Sequence, residues 1–210
     1  MAQLLSVNVG VPRNIPGTQT LTGIYKLPVA GPVAITREGI ATDIIADRRH
    51  HGGADQAIYV YFQEDYIFWE TQGIATEPGL FGENFTLSGT DSLTCAIGDR
   101  FTIGELVLEV TYYRKPCRTF SARMGDPRWL KRFHKARRSG AYCRVITPGA
   151  VQAGMDVTIT PYSGERITTA EIMGYDGVAL IPDDFMRRAL TTPLREKTRE
   201  KYETNLNRLF

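Results

Sequence analysis

From its start to about Tyr162 the chain is a succession of short alternating apolar segments cut by Gly, Pro, Asn or Asp. That rhythm confines it to a barrel or sandwich of strands. Leu5, Val7 and Val9 alternate, as do Val33 and Ile35, Ile58 and Val60, Leu106, Leu108 and Val110, and Val157 and Ile159. Alternation places each set on one face of a strand. Two helices interrupt the pattern. Phe62, Tyr66 and Trp69 share one helical face, predicting a helix over about 63–72 with Gly73 as its stop. Asp126-Pro127, a cap and a first-turn proline, opens a second that runs through Trp129, Leu130 and Phe133 to Gly140.

After Pro161 the spacing becomes helical. Thr168 and Glu171 form a capping box, Pro182-Asp183-Asp184 opens a second helix, and Thr192-Pro193 opens a third. On the last, Leu194, Thr198, Tyr202, Leu206 and Leu209 form one stripe, and Arg199 is expected to pair with Glu203 on the exposed side. The expectation is a mainly β domain over 1–162, with peripheral helices, followed by a small three-helix segment over 163–210.

Charge and cysteine content narrow the function. Lys and Arg number 25 against 23 Asp and Glu, a net +2 too small to imply a polyanionic partner for the whole chain. No apolar run approaches the roughly 20 residues of a bilayer span, and Met1–Gly10 lacks a secretion signal's basic start. No membrane association and a cytoplasmic location are therefore expected. Cys95, Cys117 and Cys143 are odd in number and form no CxxC pair, which suits a reducing compartment.

Several segments could carry chemistry. His51-Gly52-Gly53-Ala54-Asp55-Gln56-Ala57 precedes a strand, and its paired glycines allow backbone N–H groups to converge on an anion, with His51 and Asp55 adding polar contacts. A tight loop with a capping Asp explains it equally. Phe81-Gly82-Glu83-Asn84 is a second glycine turn, in which Glu83 and Asn84 are hydrogen-bonding candidates; Gly98-Asp99 reads as a plain turn. Arg114-Lys115-Pro116-Cys117-Arg118 surrounds one thiol with three cations, a setting that favours the thiolate, the form that attacks electrophiles or binds a soft metal. Cys95 and Cys143 lie in apolar runs and read as buried. Arg144, inside an apolar strand, requires a phosphate or carboxylate partner. The basic helix carries Arg128, Lys131, Arg132, Lys135, Arg137 and Arg138, a face either solvated or turned to phosphates. The histidines and cysteines lack zinc-site spacings.

In order, these motifs resemble the MOSC family, named for the C-terminal domain of molybdenum cofactor sulfurase, and its small bacterial members with a three-helix tail. The resemblance rests on Gly23 through Val29, Asp43 through Asp47, the 51–57 loop, the 81–84 turn, Ile97-Gly98-Asp99, Arg114 through Cys117 and Arg144-Val145. It implies a MOSC-type β-barrel whose pocket binds the molybdenum cofactor, with the Cys117 thiolate as metal ligand and catalytic residue. By the same resemblance, Lys26, His51, Gly52, Gly53, Asp55, Glu83, Asn84, Arg114 and Arg144 are expected to contact the pterin or phosphate. Similar proteins reduce N-hydroxylated compounds, including hydroxylamino-purine base analogues, to amines with electrons from a redox partner protein, and a homodimer is compatible with that role. One departure is Thr42, where the family usually shows glycine before the Asp; a Cβ there disfavours positive φ.

Two other readings use the same residues. A sulfur carrier would hold a persulfide on Cys117. A nucleotide or nucleic-acid binding module would use the basic helix over 126–139 and bind in a salt-dependent way. For the tail, docking of a redox partner and simple packing over a barrel edge are both open.

Overall fold

The computed structural model describes residues 1–15, 18–44 and 52–207. Its strands are β1 (Ala2–Gly10), β2 (Arg13–Asn14), β3 (Leu21–Thr22), β4 (Lys26–Pro28), β5 (Val33–Thr36), β6 (Gly39–Ile40), β7 (Ile58–Phe62), β8 (Phe85–Leu87), β9 (Arg100–Ile103), β10 (Leu106–Tyr113), β11 (Ala141–Thr147), β12 (Gly149–Val151) and β13 (Asp156–Thr160). Its helices are α1 (Gln63–Thr71), α2 (Arg118–Met124), α3 (Trp129–Ala136), α4 (Thr169–Met173), α5 (Asp183–Leu190) and α6 (Glu196–Asn207).

The strands β13, β9, β10, β11, β7, β8 and β1 are hydrogen-bonded in that order, and β1 pairs back onto β13, closing a barrel. Closure removes the open edges that would invite aggregation. All the barrel pairings are antiparallel except β7 with β8, which is parallel. A parallel neighbour requires a crossover. Here the chain returns through α1 and the turn at 79–84, which sets that turn at one end of the barrel. β4 pairs antiparallel with the end of β1, with Lys26 opposite Gly10.

The strand segments expected from alternation all form. The first is modified: a bulge between Leu4 and Ser6 resets its register, so Leu4, Ser6, Val7, Asn8 and Gly10 are buried and Leu5 is exposed. Trp69 of α1, Phe81 of the turn, Phe120 of α2, and Trp129 and Phe133 of α3 form one buried aromatic cluster. Trp69 and Phe133 lie nearly parallel at 6.0 Å, and Phe81 meets Phe120 edge-on at 5.2 Å. This cluster fixes the segment containing Cys117 against the barrel.

Some helices depart from expectation. α2 was not indicated by the sequence pattern, and α3 ends at Ala136 because Arg137 adopts a left-handed φ of 55°. In the C-terminal segment Thr168 caps α4 by accepting from the Glu171 N–H at 3.0 Å. α6 begins at Glu196, after the expected Thr192-Pro193 start, and buries Thr198, Tyr202 and Leu206; Leu209 lies outside the described residues. Arg199 does not pair with Glu203 as expected. It donates to the carbonyls of Leu190 and Thr192 at 2.9 and 2.6 Å, tying α6 to the end of α5, where carbonyls lack helical partners.

Candidate active site

A cavity of about 650 Å³ opens at the barrel end where β4, the 79–84 turn and the loop after β10 meet. Its size suits a small-molecule or cofactor site. Among the described residues its wall carries six cations, Lys26, Arg114, Lys115, Arg118, Arg195 and Lys197, against one carboxylate, Asp43.

Asp43 organises one side. Its Oδ1 accepts from the Gly10 N–H at 2.7 Å, while its Oδ2 accepts from Asn84 Nδ2 at 2.8 Å and forms an ion pair with Lys26 Nζ. Both members of the pair are almost wholly buried. Burial opposes the Lys26 charge and lowers its pKa, with Asp43 working in the opposite sense. The turn carrying Asp43 forms without glycine: Thr42 avoids positive φ, and the Asp43 N–H donates to the Ile40 carbonyl at 3.0 Å. Gly23 is required for a different reason, since a Cβ there would stand 1.7 Å from the Ile44 carbonyl oxygen.

Asn84 Oδ1 accepts from the Tyr59 N–H at 3.1 Å, so one amide links the 79–84 turn to β7. Glu83 does not line the cavity. It is fully buried and accepts from Tyr66 Oη and the Gly79 N–H, each at 2.6 Å, from Thr86 Oγ1 at 3.0 Å and from the Phe81 N–H at 3.2 Å. Its role is to hold the turn that presents Phe81, Gly82 and Asn84. Burial raises its pKa, with the hydrogen bonds opposing.

Among the described residues Arg114 has no carboxylate partner. Only 4% exposed, its guanidinium lies 4.0 Å from the Phe120 ring centroid, and Nη1 is buried without a hydrogen-bond partner. A buried donor in that state costs free energy until an acceptor reaches it. Cys117 stands half-buried in the cavity wall, in extended conformation at the residue before α2, and its carbonyl accepts from the Ser121 N–H at 3.2 Å. Cys95 and Cys143 are fully enclosed elsewhere, and burial pushes both thiols up. The aromatic rings of Tyr59 and Tyr142, 5.3 Å apart, also face the cavity.

Of the residues selected from sequence, Lys26, Asn84, Arg114 and Cys117 are thus brought together. Asp55 and Arg144 instead face each other, with Arg144 Nη2 3.0 Å from Asp55 Oδ1. Arg144 also donates to the Pro193 carbonyl at 3.1 Å, and Asp55 Oδ2 accepts from the Glu196 N–H at 2.7 Å. The carboxylate partner that Arg144 requires is therefore internal, and the pair anchors the C-terminal segment. Gly52 and Gly53 lie outside the cavity wall, to which their loop contributes Gln56 and Ala57; Gly53 has a φ of 101°. His51 lies outside the described residues. Of the basic residues expected over 126–139, Arg132 on α3 pairs with Asp126 at 3.0 Å, and Arg138, beyond the end of α3, pairs with Asp65 at 2.7 Å. Arg195 and Lys197 were not recognised from sequence. They enter the wall from the distant C-terminal segment, a contact no local pattern announces.

The MOSC domain pattern matches residues 47–158, more than half the chain. This protein belongs to the MOSC family. Among its relatives is the uncharacterized Bacillus subtilis protein YflK, 34% identical over 161 residues that span 74% of this chain and 72% of YflK. A Gibberella moniliformis protein named as a reductase is 30% identical over 163 residues, 74% of this chain and 29% of that longer protein. The structure of YiiM from Geobacillus stearothermophilus superposes with a TM-score of 0.80 at 27% identity, covering 98% of this chain and all of that one. The barrel described above is therefore the MOSC fold. No helix among the described residues is long and apolar enough to cross a membrane.

Proposed function

We propose that this MOSC protein is a molybdenum-cofactor-dependent oxidoreductase that reduces N-hydroxylated compounds to amines. The observation that carries the reading is the buried, unpartnered Arg114 Nη1 in the same cation-rich cavity as the Cys117 thiol. The residues fit the group. A phosphate oxygen would satisfy the orphan donor, and a thiolate is a suitable soft ligand for a metal carried by an organic cofactor. No cluster of three His, Cys, Asp or Glu among the described residues is arranged to hold an ion unaided, and a metal arriving with cofactor sulfur ligands requires one protein donor.

When bound, the cofactor would supply the two electrons that, with two protons, convert N–OH to N–H and water, the second proton coming from solvent. The chain's residues have separable parts in that reaction. Cys117 is the metal ligand, and Arg114 holds the anionic end of the cofactor. Asn84, locked by Asp43 and Tyr59, presents a fixed amide edge to the pterin. The faces of Tyr59 and Tyr142 accept a planar substrate ring. Lys26 Nζ, whose proton is held less firmly than usual because burial opposes its charge, is a proton source for the departing hydroxyl. The reductase name of one relative supports the oxidoreductase class. A separate redox protein is the proposed electron donor.

The test is reduction of 6-hydroxylaminopurine by protein made in a cofactor-producing host, with a reduced viologen as donor. Adenine formation that is abolished by Cys117→Ser and retained in Cys143→Ser is expected. Equal turnover by wild type and Cys117→Ser would refute the reading.

A further inference from the structure

The six cations of the cavity wall are more than one bound phosphate requires, and their partners divide them. Lys26 is neutralised by Asp43, and Lys115 Nζ pairs with Asp176 at 2.6 Å. Among the described residues four have no carboxylate partner, Arg114, Arg118, Arg195 and Lys197. Arg114 is buried on the barrel. Arg195 and Lys197 arrive on the C-terminal segment, and that segment is pinned where they enter. The Arg195 N–H donates to the Thr111 carbonyl at 3.2 Å, the Glu196 N–H donates to Asp55, and Arg144 holds the Pro193 carbonyl.

The Arg195 side chain is held just as firmly. Its guanidinium stacks at 3.4 Å from the Tyr112 ring centroid, and its Nε donates to Thr198 Oγ1 at 2.7 Å. Tyr112 is the cross-strand neighbour of Tyr142, whose ring faces the cavity and feels the charges of both Arg114 and Arg195. A ring lying on Tyr142 therefore has cations of two origins within electrostatic reach. Fixing a guanidinium by stacking and one hydrogen bond leaves its outer nitrogens ready for a bidentate acceptor, which is how arginine recognises phosphate.

We infer that Arg195 and Lys197 form a second anion subsite, which binds a phosphate carried by the substrate. The preferred substrate class is then N-hydroxylated purine nucleotides, above the corresponding free bases. This inference rests on the proposed reductase reading. It also gives the C-terminal helices a function, since the Asp55–Arg144 pair and the Thr111 carbonyl set the two cations at the cavity wall.

The experiment compares wild type, the double variant Arg195→Gln/Lys197→Gln, and Arg195→Lys, all purified with cofactor. Calorimetric affinities for 6-hydroxylaminopurine, its riboside and the riboside 5′-monophosphate are measured beside molybdenum content and turnover. In wild type the monophosphate binds roughly ten- to hundredfold more tightly than the riboside, the scale of charged hydrogen bonds. The ratio falls toward one in the double variant, is partly kept in Arg195→Lys, and shrinks with added salt. No preference in wild type, or an unchanged ratio in the double variant, overturns the inference. Loss of molybdenum from the double variant also overturns it, by assigning these cations to the cofactor's own phosphate. Monophosphate selectivity that depends on the two residues, in a protein that reduces none of the three compounds, upholds the subsite and refutes the reductase reading.

Discussion

Replacing Asp43 by alanine leaves the Lys26 ammonium buried without its counter-charge and frees two further donors, the Gly10 N–H and Asn84 Nδ2. Breaking a buried pair from one side costs about 3–5 kcal/mol. For a chain of 210 residues, with about 2.1 cal/mol/K of unfolding entropy per residue, the thermal midpoint falls by roughly 7–11 °C. The double variant Asp43→Ala/Lys26→Met recovers part of that loss, because no charge remains to be buried. The pH dependence carries a sign of its own. Burial already lowers the folded-state pKa of Lys26 below its usual 10.5, and loss of Asp43 lowers it further. The unfolded chain then holds more protons than the folded one, so stability rises with pH. The penalty is full below the folded pKa and disappears above about 10.5. Scanning calorimetry between pH 7 and 10 measures both effects. A fall under about 2 °C, a double variant no better than Asp43→Ala, or a deficit that grows with pH would refute the reasoning.

Further predictions concern groups away from the metal ligand. Burial pushes the Asp65 carboxyl up to about 6, against hydrogen bonds from Ser92 and Arg138 that pull it down. A raised folded pKa means stability is fullest below the unfolded value of 3.8 and declines as pH rises through 6, by about 3 kcal/mol in all. Urea unfolding from pH 4 to 7 should show that decline in wild type and a flatter profile in Asp65→Asn; parallel profiles would disprove the assignment. Gly23→Ala drives a methyl onto the Ile44 carbonyl, which must move, at an expected cost of roughly 1–3 kcal/mol. A thermal midpoint equal to wild type would show that the approach of these segments is looser than described.

The barrel was readable because alternation is a local signal: Leu106, Leu108 and Val110 are all buried, as their spacing requires. The β1 bulge was not, since Ser6 and Asn8 are polar yet buried, held by a hydrogen bond between them at 2.7 Å and by Asn8 to Thr86 at 3.3 Å. Cys117 and Arg114 stood out because several cations crowd a short segment. The 51–57 loop and Asn84 show only turn chemistry, which a plain loop explains equally, and Lys26 enters through the order of motifs alone, which reports on a family and not on any one contact. An arginine in an apolar strand requires a partner, but sequence separation hides that Asp55, inside another candidate motif, supplies it to Arg144. Arg195 and Lys197 sit in a stretch that reads as the start of an amphipathic helix, and only tertiary docking gives them a place in the same cavity wall as the thiol.

The measurement that bears most directly on the central claim is the molybdenum and pterin content of wild type and Cys117→Ser, each purified from a cofactor-producing host and shown to be folded. Close to one metal per chain in wild type, lost from Cys117→Ser and kept in Cys143→Ser, is the predicted result. Metal absent from wild type, or equally present in Cys117→Ser, would contradict it.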